Sequence, residues 1–416
     1  MKIEAANEEA LRRILGGDPV LVDVLPAGEA LKGFAGRTLL HSGPPITWER
    51  MCEPTKGAVL AAAVFEGWAA TPDEARELAA SGGITFRPNH EFGAVGPMTG
   101  ITTPGMAGFV VENRAHGNRS FCTINEGMGN VMRFGGNDAE VVDRLKWMAN
   151  RLAPALAAAI RHNEGISLKP LIGRALTMGD EMHMRNAAAT GLFLRAIAGP
   201  LADTCRDGEL LARVIRFMAV NDMFFLNVAM AAAKSLIAAA EGIPGCTVVT
   251  TMARNGTEFG IRLSSTGKTW FTAPAPSVEG LYFSGFGDKD ANPDIGDSCI
   301  VETVGLGGFS MAASPAVVGF VGAGSLQDAI NYTMSMSEIS LGGNPEWALP
   351  TMGGMGAPTA IDVRKVVEIG LSPVINTAIV HHQSGKGQIG AGLAKAPMEC
   401  FEAALKAFAA QMNVTA

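Results

Sequence analysis

Charge is scarce in this 416-residue chain: 18% of its residues are Asp, Glu, Lys or Arg, with 33 Lys+Arg against 40 Asp+Glu. A net charge of −7 with both signs scattered excludes a nucleic-acid binder that relies on a basic face. Cysteine numbers only six, with no CxxC, so neither a zinc pattern nor a disulfide framework is available. Scattered thiols of this kind suit a reducing compartment. The most apolar window, residues 223–233, carries Asn227 and falls short of the roughly 20 residues of a membrane span. The N-terminal MKIEAANEEALRRIL reads as a charged amphipathic helix without a signal-peptide core, so the expectation is a cytoplasmic protein with no membrane partner. Tyrosine is almost missing, at 2 residues, while glycine reaches 51 and hydrophobic residues 48%. That apolar share builds real cores and excludes a disordered chain. The glycines, without a repeat, imply tight turns and close backbone approach.

The length predicts two or three domains, and the texture changes twice along the chain. Up to residue 137, short strand candidates (20–25, 84–87, 108–112, 120–124) alternate with a helix beginning at Thr71-Pro72-Asp73-Glu74, where Thr caps, Pro takes the first helical position and Glu closes a capping box. From 138 to 244 apolar residues recur three and four apart, as in Val141, Leu145, Met148, Leu152, Leu156 and Ile160, with Pro154 a kink. From 245 onward Asn255-Gly256 marks a hairpin between 247–252 and 258–263. Further strands are expected at 269–272 and 278–283, and helices at 325–338 and 393–411. The fold class is therefore α+β: two mixed α/β parts (1–137 and 245–416) with a helical bundle (138–244) between them.

Several constellations can carry chemistry. Asp180, Glu181, His183, Arg185 and Asn186 crowd an otherwise apolar helical stretch, among Met178, Met182 and Met184. On a helix Asp180 and His183 share a face, as do Glu181 and Arg185, and Asp180 can orient the imidazole as a carboxylate does for a general acid–base His. Asn125-Glu126-Gly127 through Arg133 and Gly135 follows a strand, and a Gly-bearing turn with Arg133 offers backbone N–H groups and a clamp for an anion. A plain turn explains that string equally well, and neither a Walker A nor a GxGxxG pattern is present. His381-His382 and Lys386-Gly387-Gln388 combine cations with alternating glycines ahead of a helix, which suits an anion at a helix N-terminus or a simple β–α connection. Asn255 and Arg262 belong first to the hairpin. His90 beside Glu91 reads as a surface residue. The carboxylate-rich loop with Asp290, Asp294 and Asp297 can hold Mg²⁺, although Asx-turn chemistry accounts for it too; no resident metal is otherwise expected.

Strings spread over the chain resemble the YlbE-like family: Gly43-Pro44-Pro45-Ile46-Thr47-Trp48, Gly96-Pro97-Met98, Asn125-Glu126-Gly127, Met178-Gly179-Asp180-Glu181, Asn255 to Gly260, Asp290 to Ser298, Glu302-Thr303-x-Gly305-x-Gly307-Gly308 and Gly387 to Gly392. The match runs in order from about residue 20 to 405, and it departs from the family at Asn89-His90-Glu91-Phe92 and at Met184. One branch of the family, encoded beside FdrA-like and YlbF-like proteins, is linked to oxamate carbamoyltransferase of allantoin breakdown. The resemblance implies a subunit of a hetero-oligomeric carbamoyltransferase that exchanges a carbamoyl group between oxalurate or oxamate and phosphate or carbamoyl phosphate, with FdrA-like and YlbF-like subunits as partners. Such transfer needs an anion cradle, oxyanion donors and an acid for the departing nitrogen. His183 is the candidate acid, with Asp180 and Glu181 beside it and His381 and His382 as rivals. Asn125, Glu126, Arg133, Arg185, Asn255, Arg262, Lys386, Gly387 and Gln388 are the candidate binding residues. The alternatives are a non-catalytic scaffold subunit and a metal-dependent amidohydrolase.

Overall fold

The computed structural model describes residues 2–322 and 324–412. It is an α+β fold, as the sequence pattern predicts. The N-terminal stretch forms a five-stranded sheet in the order Ala94–Val95, Asn118–Thr123, Ala107–Asn113, Pro19–Pro26, Ile166–Ser167. Its last strand comes from the helical stretch and pairs antiparallel with Pro19–Pro26. Thr38–His41 and Thr85–Pro88 make a separate parallel pair. The helix Pro72–Ala80 starts as expected, with the Thr71 hydroxyl accepting from the Glu74 N–H at 3.2 Å. The Glu74 carboxylate, however, accepts from the N–H of Ala70, one residue before the cap.

Six helices occupy the middle stretch: Ala139–Trp147, Ala153–His162, Leu168–Thr177, Ala187–Thr204, Gly208–Ala219 and Phe224–Ala238. Pro154 acts through a π-helical segment, Met148–Leu152, which widens the ladder just before the proline and so absorbs the N–H it cannot supply. Phe224–Ala238 is buried from Phe224 through Ile237. It runs against the N-terminal sheet, taking hydrogen bonds from Ser120 to the Ala231 carbonyl (2.6 Å) and from Asn118 to the Ser235 carbonyl (2.8 Å). Among the described residues no single helix is long and apolar enough to cross a membrane. Gly208–Ala219 and Phe224–Ala238 pass together by length and composition, but they are bent 75° to each other.

The C-terminal stretch carries three small sheets. The Asn255-Gly256 hairpin joins Val249–Asn255 to Glu258–Leu263, with Phe271–Pro274 and Ile295–Gly296 outside them. Val374–Val380 and Gln388–Lys395 pair with each other, Glu279–Tyr282 lies on the far side of Gln388–Lys395, and Ser340–Leu349 pairs with Met355–Ile361. The residues expected as one helix over 393–411 divide instead: Gln388–Lys395 is strand and the helix is Met398–Gln411. One apolar cluster takes Phe109 and Leu21 from the first stretch, Phe193 and Phe224 from the second and Ile300 and Trp347 from the third.

Candidate functional site

The polar string 178–186 is not helical. It is an irregular connection between the helices Leu168–Thr177 and Ala187–Thr204, and the expected pairings along a helix face do not form. Gly179 (φ +96°) ends the first helix in the left-handed region, and Met182 follows with φ +70°, a conformation costing a non-glycine residue about 1–3 kcal/mol. Asp180 turns away from His183. Its carboxylate pairs with Arg185 at 2.9 Å and caps the next helix through the Ala189 N–H at 2.8 Å. Glu181 accepts from the N–H groups of His183, Met184 and Arg185 and from the Asn376 amide, folding the connection around one buried carboxylate. Burial outweighs those donors and pushes the Glu181 carboxyl up to about 7.

His183 finds another carboxylate, from 119 residues away. Its Nδ1 lies 2.8 Å from Oε1 of Glu302, and both side chains are buried. Glu302 Oε1 also accepts from the Gly308 N–H at 3.1 Å. Gly307 is obligatory here: its φ is +58°, and a Cβ would sit 2.1 Å from Glu302 Oε1. With Nδ1–H donated to Glu302, the other ring nitrogen is free. Among the described residues His183 Nε2 has no partner, and neither has Glu302 Oε2. A buried imidazole held by a carboxylate, with its second nitrogen unclaimed, is the arrangement of a general acid–base histidine.

That histidine lines a cavity of about 170 Å³. Its polar wall is His183, Arg133, Ser298 and Gln388; methionines, phenylalanines, Leu226 and Ala378 make up the remainder. Arg133 arrives on a short turn, Met132–Phe134, whose first two N–H groups are accepted by Glu126 at 2.8 and 3.0 Å. Its guanidinium lies over Phe134 (4.8 Å) and donates twice to the Gly127 carbonyl, leaving Nη1 without a protein partner among the described residues. Burial lowers its pKa to about 10, so it stays cationic at neutral pH. Ser298 Oγ accepts from Arg254 at 3.2 Å, which frees its hydroxyl hydrogen for a ligand. Met98, also on the wall, is held at φ +55°. The two Gly-bearing turns singled out in the sequence meet at this cavity: the Gly385 N–H donates to the Phe134 carbonyl (3.0 Å), and a Cβ on Gly387 would touch the Gly129 carbonyl at 3.1 Å.

The other candidates lie elsewhere. Asn125 is tied into a buried network with Asn227 and Asn221. Asn255 closes its own hairpin by accepting from the N–H groups of Thr257 and Glu258. Arg262 donates to the Gly267 carbonyl and lies over Trp270. Lys386 is exposed and is not on the cavity wall. The 381–392 stretch does not lead into a helix N-terminus, because the strand Gln388–Lys395 intervenes. Gly390 and Gly392 serve close strand packing against Tyr282 and Gly280, their partners in the ladder. His90 is not a surface residue: it is buried, 3.5 Å from Asp297.

The carboxylate loop divides between separate partners. Asp294 is clamped by Arg254 at 2.7 and 3.0 Å, and Asp297 accepts from the N–H groups of Gly43 and Gly96 and from Asn89. Asp290 alone faces the histidines. With His381 and His382 it forms the one group of three potential metal ligands among the described residues. His381 Nδ1, however, accepts from the Gln383 N–H at 2.9 Å, which places its proton on Nε2 and removes the lone pair a metal would need. Glu302 and Ser298 are the residues of this candidate site that the sequence pattern did not single out. The string Glu302-Thr303-x-Gly305-x-Gly307-Gly308 was visible, but not the spatial neighbour of Glu302.

A buried histidine–carboxylate pair beside a cavity lined by one cation and many apolar side chains is the setting in which small-molecule sites are found. Comparison with known proteins supplies the family. Residues 84–298 match the family described as oxamate carbamoyltransferase subunit AllG. The chain is 44% identical to "Oxamate carbamoyltransferase subunit AllG" of Escherichia coli (strain K12), over 99% of each chain. It is 46% identical to the same organism's "Uncharacterized protein YahG", over 97% of this chain and 85% of that one. A crystal structure of a conserved protein of unknown function from Enterococcus faecalis V583 superposes with a TM-score of 0.96, at 46% identity and 98% coverage of both chains. The chain belongs to the AllG family. This agrees with the carbamoyltransferase branch to which the sequence resemblance pointed, under the AllG description rather than the YlbE-like one.

Proposed function

We propose that this chain carries the acid–base chemistry of a carbamoyltransferase complex that moves a carbamoyl group between a ureide or amide and phosphate. The observation that carries the reading is the unpartnered Nε2 of His183 among the described residues, on a carboxylate-held ring whose residue lines the same cavity as Arg133. Arg133 binds the phosphate. A phosphate oxygen attacks the carbamoyl carbon, and the C–N bond to the departing amide breaks. His183 Nε2 takes the proton of hydrogen phosphate and returns one to the amide nitrogen, so no net proton is consumed. Ser298 donates to the oxygen that becomes negative on the way. The AllG relative is named a subunit of oxamate carbamoyltransferase, which supports both the reaction class and a role within a complex; FdrA-like and YlbF-like chains are the proposed partners.

The test uses the co-expressed complex, with carbamoyl phosphate formation from an acylurea and phosphate as readout. His183→Asn is expected to lower turnover by about 10²–10⁴-fold, the usual share of a general acid–base group. Unchanged turnover in that variant removes His183 from the chemistry.

A further inference from the structure

The strand Glu279–Tyr282 stands at the edge of its sheet, paired on one side only, with Gln388–Lys395. The Phe283 N–H donates to the Ile389 carbonyl at 2.8 Å. Antiparallel alternation from that bond turns the backbone groups of Glu279 and Leu281 inward and those of Gly280 and Tyr282 outward. Natural edges are usually blunted by a lysine, a proline or a bulge. This edge has none of them: its residues are Glu-Gly-Leu-Tyr, in unbroken register. Its side chains are apolar and open, with Leu281 52% and Phe283 40% exposed. The end of the helix Pro315–Phe320 extends the apolar surface. Phe283 meets Phe320, itself exposed, with ring centroids 6.4 Å apart, and a Cβ on Gly322 would lie 3.0 Å from Leu281. A groove of about 430 Å³ is lined by Glu279, Leu281, Gly322, Tyr332 and Lys395, and no ion pair among the described residues engages either of its two charges. Phe283 and Phe320 also line the His183 cavity, so groove and cavity are both reached from the stretch 279–283.

Whatever covers Leu281 and Phe283 also takes water from the outward N–H and C=O groups beside them. Left unpaired under a cover, those groups disfavour it, so a helix or a flat surface fits poorly. An extended backbone pairs them. We infer that a neighbouring subunit adds a strand along Glu279–Tyr282. Its apolar side chains lie on Leu281 and Phe283, and the groove calls for a base near Glu279 and an acid near Lys395. The inference rests on the complex in the reading above and gives that complex a docking edge on this chain. It brings the neighbour up to Phe283 and Phe320, hence to the cavity that holds the proposed chemistry.

The test uses the full chain co-expressed with the FdrA-like and YlbF-like chains. Tyr282→Pro removes an outward N–H at a kind of edge position where proline is tolerated, and Leu281→Asp puts a charge on the surface to be covered. Each is expected to weaken association with the other subunits by at least about tenfold in sedimentation, the loss usual for a well-buried interface side chain. The isolated variant chains are expected to keep the wild-type melting temperature; should Tyr282→Pro melt early, Leu281→Asp decides. Ile369→Asp, at a comparably exposed residue (48%) on the helix Val363–Ile369, is expected to leave association unchanged. Amide exchange over 279–283 is expected to slow by about tenfold or more in the wild-type complex. Full-strength association of Leu281→Asp, or exchange over 279–283 that is no slower in the complex, overturns the inference. Self-association of the isolated chain that Leu281→Asp abolishes, with the complex intact, assigns the edge to a second copy and overturns it as well. A wild-type complex that assembles through this edge yet forms no carbamoyl phosphate overturns the transfer reading and leaves the docking edge standing.

Discussion

In the proposed mechanism His183 accepts and returns a proton, which requires a fixed ring and an engaged Nδ1 proton, and the 2.8 Å contact to Glu302 supplies both. Glu302→Gln keeps an acceptor for Nδ1–H but removes the charge that stabilises the imidazolium. Turnover in the complex should fall by about 10²-fold or more, with the chain's melting temperature little changed. Gly307→Ala attacks the same contact sterically: a Cβ 2.1 Å from Glu302 Oε1 at φ +58° must push the carboxylate off the imidazole. Loss of activity together with about 1–3 kcal/mol of stability is expected, read from urea midpoints. Glu181 gives a pH signature. Its carboxyl rises from 4.5 unfolded to about 7 folded, so between those values the folded chain holds a proton that the unfolded chain has released. The resulting stabilisation is complete below about 4.5 and is lost as pH rises through about 7, roughly 3 kcal/mol in all. Urea midpoints of wild type at pH 5 and pH 8 should differ by more than those of Glu181→Gln; equal differences would place the Glu181 carboxyl in the ordinary range. At this scale the sequence identified His183, Arg133 and Gln388 on the cavity wall, but not who holds His183. Asp180 was three positions away and Glu302 was 119, and only folding ranks those distances.

Elements explain both the successes and the misses of the sequence pattern. Asn255-Gly256 makes its hairpin because Gly256 (φ +81°) and the Asn255 side chain satisfy the turn locally, and a local signal survives in sequence. The 178–186 string looked helical because its apolar residues keep helical spacing. A buried carboxylate collecting three successive backbone N–H groups unwinds it instead, a competition that periodicity cannot register. The loop from Asp290 to Asp297 looked like a cation site because carboxylates cluster in sequence. In space Asp294 is the counter-charge of Arg254, whose guanidinium also bonds the Gly296 carbonyl, Ser298 and Thr377 and thereby joins the hairpin strand Val249–Asn255 to Val374–Val380 and to the cavity wall. Asp294→Ala leaves that arginine buried and uncompensated, with an expected cost of about 3–5 kcal/mol in urea unfolding. Chelator treatment should leave the wild-type midpoint unchanged, because protein donors already saturate Asp294 and Asp297; a midpoint lowered by chelation and restored by Mg²⁺ would return the loop to metal binding.

The whole molecule converges on one cavity from sequence positions nearly 300 residues apart: Met98 and Arg133 from the first stretch, His183 from the helical one, Ser298 and Gln388 from the last. The apolar cluster beneath it is shared in the same way, since Phe224–Ala238 packs on the N-terminal sheet while Ile300 and Trp347 reach the same core from the C-terminal stretch. Composition announced three textures along the chain but could not announce this sharing, because a contact between Phe109 and Phe224 leaves no local trace in either segment. Cooperativity follows from shared burial, since melting any one stretch exposes apolar surface on the other two. Scanning calorimetry should therefore show a single transition whose calorimetric and van't Hoff enthalpies agree. The fragment 1–244, deprived of Glu302 and of the C-terminal residues of the shared core, Ile300 and Trp347 among them, should show no cooperative melt and no binding of an acylurea. A fragment that melts cooperatively on its own would establish the first two stretches as an independent unit. Binding of the ligand by that fragment would show that His183 needs no partner from the C-terminal stretch, which the 2.8 Å contact to Glu302 argues against.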